Sequence, residues 1–402
     1  MQSSRMMTAL VAALLCLASL GSAVAENRYG PGVTDTEIKI GQTMPYSGPL
    51  SVYGAIGKAQ LAYFARVNAE GGINGRKIKL ISLDDGYNPA KTVEHVRRLI
   101  EHEQVLLVFG SVGTAPNMAV RKYLNAKKVP HLFVAGGDRA WGDYRHYPWT
   151  MGWMPLYRLE AKVYAQHILK TRPSAKIAVL YLNDDYGRDY LKGLKVGLNG
   201  KAAKMIVAEA SYELTDPTVD SQIVTLKASG ADTLFSAMGG KHASQAIRKI
   251  YDIGWHPAHY TGVPSTSIES ILEPAGLERA IGLFSAYYAK APDDPRWKND
   301  PAMQEYFAWA KRYYDGDPND GIANYGYQVA QALEYVLRKC SDDLTRHNVM
   351  RQAMSMKNVE FPMLLPGVRV TTSPTDYQPI EQFQMNRFDG KDWIPFGDLI
   401  GN

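Results

Sequence analysis

The residues best placed to do chemistry sit at the ends of apolar runs. Ser111-Val112-Gly113-Thr114 follows the run 105–109 and precedes a helical pattern with Pro116 in its first turn. Small side chains there let backbone N–H groups and the Thr114 hydroxyl converge on an anion, and a helix N-terminus favours negative charge. The chemistry is therefore binding, with a carboxylate as the expected guest; Thr114 acting alone would only cap its own helix. Gly136-Gly137-Asp138, after the next run, offers a further amide to the same anion, whereas the Asp138 charge would repel a carboxylate and suit a cation. Met238-Gly239-Gly240-Lys241 ends a later run. Lys241 pointing inward supplies a fixed positive charge to an anionic solute, and pointing outward it is a solvated lysine.

Catalysis lacks a constellation. No G-x-G-x-x-G, P-loop, H-E-x-x-H or G-x-S-x-G pattern occurs, so the chain reads as a non-enzyme that needs no cofactor. Cys340 falls in an amphipathic helical pattern, where a buried thiol is expected. His95 and His102 are too far apart on one helix to pair on a metal, and no metal site is expected. The net charge of +5 is spread rather than striped, and Arg97-Arg98 lies beside Glu94 and Glu101 as on a solvated helix face. Nucleic acid is not an expected partner.

Several elements must position these loops. Residues 38–85 read as strand, loop, helix and strand: Ile38 and Ile40 alternate, Pro45, Ser47, Gly48 and Pro49 turn the chain, and Ile56, Ala59, Tyr63 and Val67 recur at helical spacing. The alternation continues with strands at 105–109 and 131–135, then restarts with strands at 177–182, 205–210, 233–237, 259–262 and 281–288. This implies α/β architecture, two doubly wound parallel sheets with ligands at the carboxyl ends of the strands. Later come helical patterns at 303–314, 327–340 and 344–354, then Pro-punctuated extended segments at 368–396.

Residues 1–25 read as an export signal: Arg5, an apolar core at 9–20, and Ala23-Val24-Ala25 as a cleavage motif, with cleavage after Ala25. Cys16 follows Leu15, which argues against lipid attachment. Removing the leader leaves Cys340 alone, so no intramolecular disulfide is expected. The remainder exceeds the roughly 250–300 residues at which single cores stop growing, and two domains are expected.

Pro45-Tyr46-Ser47-Gly48-Pro49 with Tyr53-Gly54, the turn Asn68-Ala69-Glu70-Gly71-Gly72-Ile73-Asn74-Gly75, Asp84-Asp85, Phe109-Gly110-Ser111-Val112-Gly113-Thr114 and Asp184-Asp185-Tyr186-Gly187 together resemble the type I periplasmic binding proteins. These are the Leu/Ile/Val-binding protein family that feeds ABC importers, and the resemblance covers essentially all of the chain after residue 25. It implies two α/β lobes that close like a hinge on a small solute. One lobe would be 26–148 plus 290–360, the other 149–289 plus 361–402. The resemblance also implies that the Ser111–Thr114 loop holds a solute carboxylate, that Tyr186 stands over the ligand from the second lobe, and that Tyr53 does so from the first. A monomer that meets an ABC permease in the inner membrane is expected; a sensor module for a membrane receptor is the alternative.

One departure bears on the solute. Amino-acid binders place an acidic residue after a second-lobe strand to pair with the α-ammonium, but here that loop reads Tyr260-Thr261-Gly262-Val263-Pro264-Ser265. An unpaired buried ammonium is costly. Unless Asp138 or Asp185 substitutes, a carboxylate lacking the α-amine, aromatic or otherwise, is the expected solute, with Pro264 of this loop among its contacts. Trp141, Tyr144, Tyr147, Trp149, Trp153 and Tyr157 crowd the first crossover, where rings either wall a cleft or stiffen a hinge.

Overall fold

Residues 28–401 are described by a computed structural model; the signal-peptide reading at residues 1–25 lies outside them. The strand Glu37–Met44 buries Ile38 and Ile40 and stays buried through Met44, as a parallel strand covered on both faces must. It pairs in parallel with Lys77–Asp84 on one side and Leu107–Phe109 on the other, and the helix Gly54–Ala69 makes the crossover. His131–Val134 and Thr150–Gly152 complete a five-stranded parallel sheet. Its last strand lies beyond residue 148, so the division expected there falls one strand early: the chain leaves the first sheet after Gly152.

The second sheet has seven strands. Ile206–Tyr212, Ile177–Leu182, Thr233–Ala237, Ala258–Thr261 and Phe284–Tyr287 run parallel in that spatial order. The doubly wound plan thus holds in both sheets, with one addition. Gln382–Phe388 pairs antiparallel with Phe284–Tyr287, and Trp393–Gly401 pairs antiparallel with it in turn. Residues 389–392 are too few for a crossover, so a hairpin forms.

The helical stretch returns to the first sheet. Gly321–Lys339 packs along Gly54–Ala69, with Pro301–Tyr313 beside it. Tyr63, Tyr306, Trp309 and Tyr327 lock these helices, ring centroids 4.7 to 5.4 Å apart. Arg346 hydrogen-bonds the Val105 and Leu106 carbonyls, which holds the helix Arg346–Ala353 on the same body. The chain thus passes between the two sheets after Gly152, after Tyr287 and after Ala353, and the site lies where those passages and the strand ends meet.

Most of the crossover aromatics are structural. Trp153 sits edge-on between Phe133 and Phe361 at 5.1 and 5.3 Å, Trp141 packs against His131, and Tyr144 meets Tyr377. Among the described residues no helix is long and apolar enough to cross a membrane.

Candidate functional site

Between the two sheets lies a cavity of about 170 Å³. A void of about 150 Å³ holds a benzene ring, so this one suits a small organic molecule. Tyr53, Ile56, Val112, Gly113 and Thr114 line it from the first sheet's side, and Leu182, Tyr186, Met238, Gly239 and Pro264 from the second.

The Thr114 end is built for an anion. Gly113 has φ 100°, and a Cβ there would drive into the Tyr87 ring, so glycine is required at this turn. Asn117 donates to the Ser111 and Gly113 carbonyls at 3.1 and 2.6 Å and fixes the loop from beneath. The helix Thr114–Ala126 then starts with no side-chain cap. Thr114 is fully buried, yet its Oγ1 has no hydrogen-bond partner. The Tyr157 hydroxyl lies beside it, and the Tyr87 hydroxyl lies near the Thr114 amide. A buried hydroxyl left unanswered costs about 1–3 kcal/mol, which a bound acceptor would recover.

The opposite wall is aromatic and apolar. Tyr186 spends its hydroxyl on the Met238 carbonyl at 2.7 Å, so it offers the cavity its ring. Tyr157 meets Tyr186 edge-on at 5.0 Å and stacks on Tyr190 at 4.6 Å. Below them the Glu160 carboxylate accepts from the Tyr164 and Tyr190 hydroxyls and the Val263 amide, and burial pushes its pKa up to about 7.

Three polar ties span the cleft and hold it shut. The Tyr53 hydroxyl donates to the Pro264 carbonyl at 2.8 Å and accepts from the Gly240 amide at 3.3 Å. The Tyr87 hydroxyl donates to Asp184 Oδ2 at 3.3 Å. Asp320 caps the helix Gly321–Lys339 through the Ile322 amide and accepts from the Ser267 and Ser270 hydroxyls, each at 2.9 Å.

A sequence profile described as periplasmic binding protein matches residues 37–392. The chain belongs to the periplasmic binding protein family. The Leu/Ile/Val-binding protein homolog 7 of Brucella abortus is 24% identical over 347 residues, 84% of this chain and 85% of the relative. A branched-chain amino acid ABC transporter protein from Thermus thermophilus, solved with bound valine, superposes with a TM-score of 0.82 at 14% identity, covering 92% of this chain and 98% of that one. A fatty acid ABC transporter substrate-binding protein from Thermomonospora curvata does so at 0.77 and 21% identity, covering 94% and 95%. The homologues of this periplasmic binding protein are solute-binding proteins, not enzymes.

Of the residues expected from sequence, Tyr53, Val112, Gly113, Thr114, Tyr186, Met238 and Pro264 line the binding protein's cavity. Five others do not. Ser111 turns into the sheet, where its Oγ accepts from the Thr43 amide at 3.0 Å. The Gly136 amide is spent on the Val134 carbonyl. Gly137 is a glycine for room: a Cβ would collide with the Pro155 carbonyl, and its own carbonyl accepts from the Tyr157 amide. Asp138 caps the turn Arg139–Gly142 by accepting from the Ala140 amide at 2.7 Å; burial, then Asp189 nearby, pushes its carboxyl up to about 6. Lys241 is exposed, one residue into its helix on the solvent side.

Sequence reasoning missed other lining residues. Tyr87, Tyr288, Lys290 and Asp293 reach the cavity from connections, Tyr287 from the end of its strand, and Asn324, Tyr325 and Gln328 from the late helix. The Lys290 ammonium is already paired with Asp300 at 2.6 Å. Burial raises the Asp293 carboxyl to about 6, with Asp294, Asp392 and Asp320 adding to the effect. Only the spacing Asn324-x-x-x-Gln328, polar on the buried face of an apolar helix, carried a readable signal.

Proposed function

We propose that this periplasmic binding protein captures a small carboxylate with an apolar or aromatic body, lacking an α-amine, and presents the closed form to an ABC permease. The observation that carries this reading is the Thr114 hydroxyl, fully buried and unpartnered beside an uncapped helix start. Micromolar affinity requires about 8 kcal/mol, and hydrogen bonds to a charged group contribute about 1.5–3 kcal/mol each. The Thr114 hydroxyl and amide with the Tyr157 hydroxyl are of that order, and the ring walls add apolar burial.

The missing α-amine is supported by the chemistry around Thr114. Its neighbours on the cavity wall are Tyr87, Val112, Ala135 and Tyr157, and the carboxylates behind two of them are engaged: Asp184 accepts from the Tyr87 hydroxyl and Asp138 from the Ala140 amide. Asp138 is committed to its own turn. The structural neighbours solved with valine or named for fatty acids have in common ligands that carry a carboxylate. The lobes that close would be residues 28–152 with 301–353, and 177–287 with 382–401, after export that removes residues 1–25.

Mass spectrometry of the solute that copurifies with the protein tests the reading directly, with a monocarboxylic acid expected. A thermal-shift panel adds a second check: leucine giving the largest stabilisation would sink the absence of an α-amine. Unchanged solute uptake in a strain lacking the chain would sink the importer role.

A further inference from the structure

We infer that the solute carries a protonated amine at the end of its body remote from its carboxylate, held by Asp293, Asn324 and Gln328. This rests on the carboxylate-binding reading above and adds a second polar end to the same cavity.

Asn324 and Gln328 lie four residues apart on the helix Gly321–Lys339, hence on one face. Each is 2% exposed, and both line the cavity. The Asn324 amide nitrogen donates to the Lys290 carbonyl at 2.7 Å, which fixes which way the side chain points. Its Oδ1 is left without a partner, as is Gln328 Oε1. The Asn324 orphan is therefore an acceptor that awaits a donor, whereas Gln328, with no hydrogen bond to fix its amide, is free to turn its oxygen to the same guest. A guest that cannot donate leaves the Asn324 oxygen buried and unanswered, at a cost of roughly tenfold in affinity.

The charge on this wall selects the kind of donor. Asp293 lines the cavity and forms no ion pair with any described residue. The cation closest in sequence, Lys290, is held by Asp300 and lies over the Trp297 ring. Glu269 and Asp320 add acidity around Asp293. The wall thus offers acceptors and, in Asp293, a carboxyl with no counter-ion, which a protonated amine answers and an alkyl end does not.

This wall and the Thr114 end come from different segments: Thr114 from the turn after Leu107–Phe109, and Asp293, Asn324 and Gln328 from the chain that follows Tyr287. The fitting class is an acid whose amine stands off across a short chain or ring.

Calorimetry on the purified, ligand-stripped protein tests this with 4-aminobutanoate against butanoate and 4-(aminomethyl)benzoate against 4-methylbenzoate. In at least one pair the amine should bind roughly tenfold or more tighter. Asp293→Asn should abolish that preference without weakening the methyl acids, and Gln328→Met should reduce it. Circular dichroism confirms that each variant is folded. Methyl acids binding as tightly as the amines, or a preference that survives both substitutions, overturns the inference. Butylamine binding while neither acid of a pair binds would instead remove the carboxylate reading and leave the amine site standing.

Discussion

Replacing Tyr53 by Phe isolates what the cleft gains by shutting. The ring stays, so apolar contact with the cavity is retained, and only the hydroxyl bridging Pro264 and Gly240 is lost. At 2.8 Å the bond to the Pro264 carbonyl is a full hydrogen bond, worth about 0.5–1.5 kcal/mol net. The contact from the Gly240 amide, at 3.3 Å, adds less. In the open form water satisfies both partners, so the substitution acts on the closed form alone and shifts closure by about 1–2 kcal/mol, a factor of about 5–30. Where the ligand binds tightly only to the closed form, its affinity falls by the same factor. Calorimetry with the copurified solute measures this, and small-angle scattering of the ligand-free protein reports a larger radius of gyration. The melting temperature should barely change, because neither core is touched. A Kd within twofold of the wild type, with unaltered scattering, would refute the latch.

Thr114→Val removes the unpartnered hydroxyl with almost no change of shape. Solute affinity should drop about tenfold while ligand-free stability holds or rises slightly, since no existing bond is broken; equal affinity would take this loop out of the site. Glu269 governs a pH effect: burial raises its carboxyl from 4.5 to about 8, with Asp293, Asp320 and Asp317 adding to the push. A raised carboxyl contributes stability that is fully present below about 4.5 and is lost as pH climbs through about 8. Melting curves across that window should fall more steeply with pH for the wild type than for Glu269→Gln, and parallel curves would dismiss the effect.

The alternation of β and α patterns was readable because buried parallel strands are short apolar runs and each helix shows one apolar face. The strand ends followed, and with them Thr114, Met238 and Pro264, since a doubly wound sheet offers its loops only at those ends. Ser111, Asp138 and Lys241 misled because residues in one tight loop face different ways: Ser111 ties two strands, Asp138 caps a turn, and Lys241 starts a helix toward water. Asp293 and Gln328 were hidden for another reason. They reach the cavity only because the chain returns from the second sheet to the first after Tyr287, a long-range event with no local signature.

Asp320 starts the helix that bears Asn324 and Gln328, and the same carboxylate grips Ser267 and Ser270 across the cleft. The carboxylate that starts this helix is thus also a contact completed only as the lobes meet. Thr114, Asn324 and Gln328 all stand on the first lobe, so a solute docks there before closure, and the Asp320 contacts then retain it. Discrimination then falls on how long it stays rather than how fast it enters. Stopped-flow traces should give similar association rate constants for amine-bearing and methyl-bearing acids, with the difference carried by dissociation.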